Sequence, residues 1–343
     1  MVKSLLLFFI VFFCTGIVQG QSLTVDDLVA LSSLSGKNTD NFLNKNGFVS
    51  AGKSLQYNLE GSTYIENNKL KSKDTTGTVR TVSLYQKSNI DYYVLHTTSQ
   101  AEYREGTERL KKAGFITDSI KNKKEPFFYQ KKNITVIADF SSKDGYPDYT
   151  FTLQKKNPPS AANIKFAEDL LMFDSHEFLV SYFGTKNVSQ DVYYFSEKEL
   201  KKCSVLYPNT SRQVTFIWDD DATLTGLSYI LISGILPTES VMQFSASVSQ
   251  NRWETKNGIF SNMTIKELMD LNEYDFEFFG RNSEFSYMAS PNSKGRVDFK
   301  KTGITFGCFN CNNSDLMTNE VIKASDAIKA GLTLYVVYVM IRP

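Results

Sequence analysis

Histidine and tryptophan are scarce, two of each in 343 residues, and cysteine occurs four times. A structural zinc site takes about four nitrogen or sulfur ligands. Outside the leader described below, the whole pool is Cys203, Cys308, Cys311, His96 and His176. The two histidines lie in different expected domains, so no metal site is expected. Charge of one sign is also missing. Once Lys3 in the leader is set aside, the 38 basic residues fall to 37, equal to the 37 acidic ones. That balance, with no dense basic run, argues against nucleic-acid binding. No Gly-x-Ser-x-Gly, His-Glu-x-x-His, phosphate-binding or dinucleotide-binding pattern occurs, so neither a catalytic constellation nor a cofactor is expected.

Long hydrophobic runs are missing too, except at the start. MVKSLLLFFIVFFCTGIVQG reads as a secretory signal peptide over residues 1–20, with Lys3 before an apolar core and a small residue before the cut. Phe13 argues against lipidation of Cys14, because such sites want a small residue there. LTLYVVYVMI (332–341) is too short to span a bilayer and suits a central strand. The mature chain is therefore expected to be secreted or periplasmic, associated with the envelope at most, and without an integral membrane segment.

What is present suggests an α+β fold of antiparallel sheets with short helices packed on one face. An N-terminal α+β domain (21–156) opens with TVDDLVALSSL, where Thr24 and Asp27 form a capping box. Strands RTVSLYQ and IDYYVLHT follow, then a helix capped by Ser99 with Glu102, then three more strands. KKNPPSAAN (155–163) breaks both periods and reads as a linker. A middle module (157–250) has a short helix from DSHEFLVSYFG and a strand meander. A C-terminal module (251–343) has a helix capped by Thr264, strands FEFFG, RVDFKK and GITFGCF, and one long helix over 315–331. The two modules suggest a loose tandem repeat.

In the last module Gly258-Ile, Met263-Thr264, Glu267-Leu268 and Leu271-Asn272 resemble the start of outer-membrane assembly lipoproteins of the BamE/SmpA type and of β-lactamase-inhibitor-like domains. Asn262 stands where those families carry glycine. The resemblance implies a helical pair on an antiparallel sheet that binds protein partners without catalysis. The texture rich in Lys, Asn, Phe and Tyr resembles exported proteins of Bacteroidetes.

Four places carry candidate chemistry. GCFNC (307–311) holds Cys308 and Cys311, but at a strand end rather than a helix start, where no dipole lowers a thiol pKa. A structural disulfide is expected, within the pair or from one of them to Cys203. WDDDATLTG (218–226) places Asp219, Asp221 and Thr223 like a cation loop, yet position 230 is isoleucine where a calcium loop closes with glutamate. In DSHEF, Asp174 is expected to cap a helix and His176 to lie on the surface beside Glu177. Tyr274, Phe276, Phe278, Phe279, Phe285 and Tyr287 make an aromatic cluster that suits a partner surface as well as a core. The leading expectation is a non-enzymatic binding or envelope-associated protein that recognises a protein or glycan. The alternative is a secreted hydrolase built on scattered carboxylates. Five Asn-x-Ser/Thr sequons, at Asn133, Asn187, Asn209, Asn262 and Asn312, support no further reading.

Overall fold

The computed structural model describes residues 23–56, 59–67, 78–117, 126–143, 146–196, 199–233, 235–238, 241–244 and 251–343. The expected signal peptide, residues 1–20, lies outside the described residues. The described part is α+β with antiparallel sheets.

In the first lobe, helices α1 (Val25–Leu31) and α2 (Gly36–Lys45) precede strands β1 (Phe48–Gln56), β2 (Leu59–Glu66), β3 (Arg80–Lys87) and β4 (Ile90–Thr97). Helix α3 (Gln100–Lys112) then leads to β5 (Ile116–Thr117), β6 (Phe127–Lys131), β7 (Ile134–Lys143) and β8 (Tyr146–Lys156). The sheet order β1-β2-β3-β4-β8-β7-β6-β5 sets two four-stranded meanders side by side along the β4–β8 pair. Alternation sends Val82, Leu95, Leu153, Phe151, Val136 and Ala138 to one face, where Leu28, Leu31, Leu43 and Leu110 of the helices cover them.

Two details hold α3 in place. Ser99 accepts from the Glu102 amide, but Glu102 does not close the expected capping box. Its carboxylate instead takes the Arg80 guanidinium and the Thr97 hydroxyl, and Arg80 reaches Glu66 at 2.9 Å with its other edge. A bidentate guanidinium is a stronger partner than one backbone amide. Gly106 then lets the helix lie against the sheet, because a Cβ there would stand 2.5 Å from the Phe151 ring.

The second lobe contains α4 (His176–Phe183), β9 (Val188–Ser196), β10 (Glu199–Leu206), β11 (Val214–Asp220) and β12 (Thr225–Ser233). After the hairpin β13 (Ile235–Thr238) and β14 (Val241–Phe244) come α5 (Ile265–Asn272), β15 (Glu277–Phe279), β16 (Thr302–Cys308), β17 (Val321–Lys323), α6 (Ala324–Lys329) and β18 (Leu334–Ile341). Strand β18 lies between β12 and β16 in a six-stranded sheet, β16-β18-β12-β11-β10-β9. One core runs from Ile164 to Ile341. A domain boundary at 250 would cut both that sheet and that core, so the expected middle and C-terminal modules form one unit.

The expected repeat is also corrected. RVDFKK is a turn, not a strand: Thr302 N–H donates to Asp298 O at 2.8 Å, and the burial of Val297 and Phe299 imitates a strand's period. The long helix over 315–331 is interrupted by β17. The carbonyls of Met317 and Glu320 accept from the amides of Arg281 and Gly280, which withdraws them from any continuous helix. Helix α6 restarts at Ala324, where the Asp275 carboxylate accepts from the Ser325 amide at 3.0 Å.

Replacing Gly106 by valine should destabilise the chain by roughly 1–3 kcal/mol, the usual cost of overpacking. The measurement is the denaturant midpoint. An unchanged midpoint would mean that α3 does not rest on Phe151.

Candidate functional site

The two acidic stretches singled out from sequence meet at the junction between the lobes. Ser175, not Asp174, caps α4, accepting from the Phe178 amide at 3.1 Å. Asp174 is thereby left to face the first lobe. Lys155, at the end of β8 and only 1% exposed, donates to the two Asp174 oxygens at 3.0 and 3.1 Å and to Ser32 O at 2.8 Å. Its ammonium also lies 4.3 Å from the centre of the Phe178 ring. The loop between α1 and α2 completes the contact. Ser33 Oγ donates to Asp174 at 2.9 Å, Ser35 Oγ donates to Glu177 at 2.7 Å, and Ser175 Oγ donates to Ser33 O at 2.9 Å.

The second acidic stretch forms the turn from β11 to β12, and β12 pairs with this same segment through a Ser175–Thr225 bridge. Lys132, in the turn between β6 and β7, reaches across to donate to Leu227 O at 3.2 Å. Burial lowers its ammonium pKa, while the charges of Asp219 and Asp174 act in the opposite sense.

Asp219, Asp221 and Thr223 do not converge. Asp219 packs beside Gly226, Asp221 accepts from the Lys202 amide at 3.3 Å, and Thr223 shares a hydroxyl contact with Thr225 at 2.8 Å. The turn is organised by Asp220, which accepts from the amides of Ala222 and Thr223. Among the described residues no group of three or more His, Cys, Asp or Glu side chains converges on a point where a metal ion would sit.

His176 is half-buried rather than on the surface. Its Nδ1 is 2.9 Å from Ser204 Oγ, which also accepts from Trp218 Nε1 at 2.9 Å. Burial lowers the His176 pKa below the ordinary 6.5. A serine beside a neutral histidine has the elements of a nucleophile and its base. Ser204, however, has no exposed surface, so no substrate carbonyl reaches its hydroxyl. The trio is a satisfied polar chain within the core.

Cys308 and Cys311 are joined, whereas Cys203 is a free buried thiol whose pKa is pushed up to about 12, mainly by burial. Cys203 is on β10 and Cys308 on β16, with three strands between them in the sheet order. At about 4.8 Å per strand, no disulfide spans that distance. The aromatic cluster divides. Phe276 and Phe278 are buried in the core against Phe306 and belong to no surface, because alternation along β15 turns Phe278 inward. Phe279 and Tyr287 are half-buried, and Tyr274 and Phe285 are exposed, with the Phe279 and Phe285 rings 5.7 Å apart. The motif from Gly258 to Asn272 forms a loop and a single helix. Thr264 and Glu267 close their capping box, and the Asn262 and Met263 backbones pair with Val336 of β18.

Family models, curated proteins and solved structures were all compared with the chain, and none of them matches it.

Lys155, Lys132 and the Ser32–Ser35 loop were not singled out from sequence. A signal for Lys155 was present, since Tyr149, Phe151, Leu153 and Lys155 share one face of β8, and the first three are apolar core. A lysine in register with such a series needs an acid.

Replacing Lys155 by methionine should cost roughly 2 kcal/mol. That is less than the roughly 3–5 kcal/mol of a sealed pair, because Asp174 is 23% exposed. Adding Asp174→Leu should recover most of the loss in denaturant unfolding. Equal midpoints for wild type and Lys155→Met would show that the pair does not hold the junction. His176 gives a pH test. Its folded pKa lies below the unfolded 6.5, so the unfolded state binds the extra proton and stability falls as pH drops from about 7 toward 5. His176→Asn should flatten that part of the stability profile, and an unchanged slope would contradict the assignment.

Proposed function

We propose that the chain is an exported, non-enzymatic binding protein that holds a neutral glycan on the face of its first sheet turned away from the helices. The observation that supports this is the composition of that face. Three neighbouring rows cross β3, β4, β8 and β7 opposite the helices: Thr81, His96, Thr150 and Asp139; Ser83, Val94, Thr152 and Ile137; Tyr85, Tyr92, Gln154 and Thr135. Beyond β7 the last two rows continue on β6 with Phe128 and Gln130. No lysine or arginine occurs in these rows, although Lys87 and Lys156 stand in the next row of the same face. Ser83, Tyr85 and Val94 are buried within the rows, and the accessible groups are the half-buried Thr81, Tyr92, Thr135, Thr150, Thr152 and Gln154 around them. Hydroxyl and amide groups match the donors and acceptors of a sugar, and Tyr85 and Tyr92 stack with ring centres 4.7 Å apart.

Non-catalytic binding also agrees with what the resemblance to small envelope modules implies, and the leader sequence supports export. The hydrolase alternative is less well supported, because its first candidate groups, His176 and the acids of the two stretches, are engaged in the core, the junction or the β11–β12 turn. Among the described residues no helix is long and apolar enough to cross a membrane.

The test is retention of the full mature chain on a panel of neutral and acidic polysaccharides in affinity electrophoresis. Retention should occur on a neutral polymer and weaken by about tenfold or more in a Tyr92→Ala, Gln154→Ala variant, as expected for loss of a central contact. Failure to bind any neutral polymer, or retention that the double variant leaves intact, would overturn the reading. Capture of a protein through the same face, without glycan binding, would also overturn it.

A further inference from the structure

We propose that the Cys308–Cys311 bond is an exchangeable disulfide, opened by an external protein dithiol that attacks at Cys308. This inference is independent of the glycan reading. It rests on the redundancy of the bond, on the unequal exposure of its two cysteines, and on the aromatic surface beside it.

The bond closes a short loop, with a sequence separation of 3, and a crosslink over so few residues removes little freedom from the unfolded chain. The loop is already held without it. Asn310 accepts from the Thr333 amide at 2.8 Å and donates to Gly331 O at 2.9 Å. The Phe309 amide donates to Thr333 O at 3.2 Å, and Arg281 donates to Asn312 O at 2.6 Å. On reduction Cys311, only 2% exposed, stays in the core as a small apolar side chain. Both redox states are therefore compatible with one fold.

Access is one-sided. Cys311 is sealed, while Cys308 is partly exposed at the end of β16. Between them Phe309 projects with 78% of its surface exposed and its ring stacked on Tyr335 at 4.7 Å. Gly307 makes this stacking feasible, because a Cβ there would stand 2.8 Å from the Tyr335 ring. An attacking protein thus meets an apolar aromatic step directly beside the more exposed of the two cysteines.

A thiolate of the partner bonds to Cys308 Sγ, and the Cys308–Cys311 bond breaks with its electron pair on Cys311 Sγ, which takes up a proton. The partner's second thiolate attacks its own sulfur in the mixed disulfide and releases Cys308 as a thiolate, which is protonated in turn. The chain gains two electrons and two protons, and the partner dithiol becomes a disulfide. The absence of a helix start at this pair, which removes thiolate activation, makes the chain the substrate of the exchange and not its catalyst.

The test treats the oxidised full chain with dithiothreitol or with a purified thioredoxin-type protein dithiol. Free thiols are then alkylated and located by peptide mass, while circular dichroism follows the fold. Both reagents should open the bond in the folded protein and leave Cys203 unlabelled. A monothiol variant of the protein reductant should be trapped on Cys308. Phe309→Ser should slow opening by the protein dithiol by about tenfold, the scale of one lost apolar contact. It should leave the dithiothreitol rate unchanged. Three results would overturn the proposal: a bond that opens only in denaturant, trapping on Cys311, or a Phe309→Ser variant as fast as wild type with the protein dithiol.

Discussion

An ammonium removed from water must find its acceptors, and the arrangement of the two lobes follows from where Lys155 finds them. The charge cannot stay on the apolar face of β8 unpaired, because the desolvation penalty for an isolated ion is several kcal/mol. Its acceptors come from two places far apart in sequence, Ser32 in the loop between the first helices and Asp174 ahead of α4. Satisfying one lysine thus fixes the α1–α2 loop, the end of the first sheet and the entry to the second lobe together. The serines of that loop then satisfy the remaining lone pairs of Asp174 and Glu177. Apolar contact alone would hold the lobes with less directional preference. A lysine with three named oxygens as acceptors allows one arrangement.

The same constraint explains why the acidic stretches resembled chemistry in the sequence. Asp174 pairs with Lys155, and the charges of Asp219 and Asp174 both act on Lys132, so the acids of the two stretches supply counter-charge to a junction that carries two lysines. Catalytic carboxylates and junction carboxylates have the same local sequence, and only the distance to a cation from another element separates them. His176 beside them is explained by the core instead, where Ser204 and Trp218 need a polar neighbour.

Local signals were legible wherever the physics is local. Thr24 with Asp27 and Thr264 with Glu267 close their capping boxes within four residues, and the strands of 80–97 announce themselves by alternation. Ser99 with Glu102 was only half legible, because Arg80 competes for the carboxylate from another strand. Strands β1 and β2 gave little signal. Segments such as FVSAGKSLQ are rich in Gly, Ser and Lys and become strands because each pairs with the other and β2 pairs with β3. The helix expected over 315–331 failed for the same kind of reason, since its carbonyls are claimed by Gly280 and Arg281. The candidate site was legible in its acids and illegible in its lysines, whose partners lie in the other lobe.

The two sheets share a meander and differ in what becomes of the face turned away from the helices, and this difference carries the functional argument. On the second sheet that face presents Cys203, Val205 and Ile217, all buried. The chain leaving β12 brings β13 alongside β9, on the far side of β11 and β10. An apolar outer face has to be covered, and a protein that covers it has no use for it in binding. On the first sheet the corresponding positions are mostly Thr, Ser, Gln and Tyr, with Val94 and Ile137 among them, and Ser83, Tyr85 and Val94 are buried while the threonines and Gln154 are half-buried. The first lobe therefore turns a largely hydroxyl- and amide-bearing face away from its helices while the second turns an apolar one, and the buried lysine keeps the two in register.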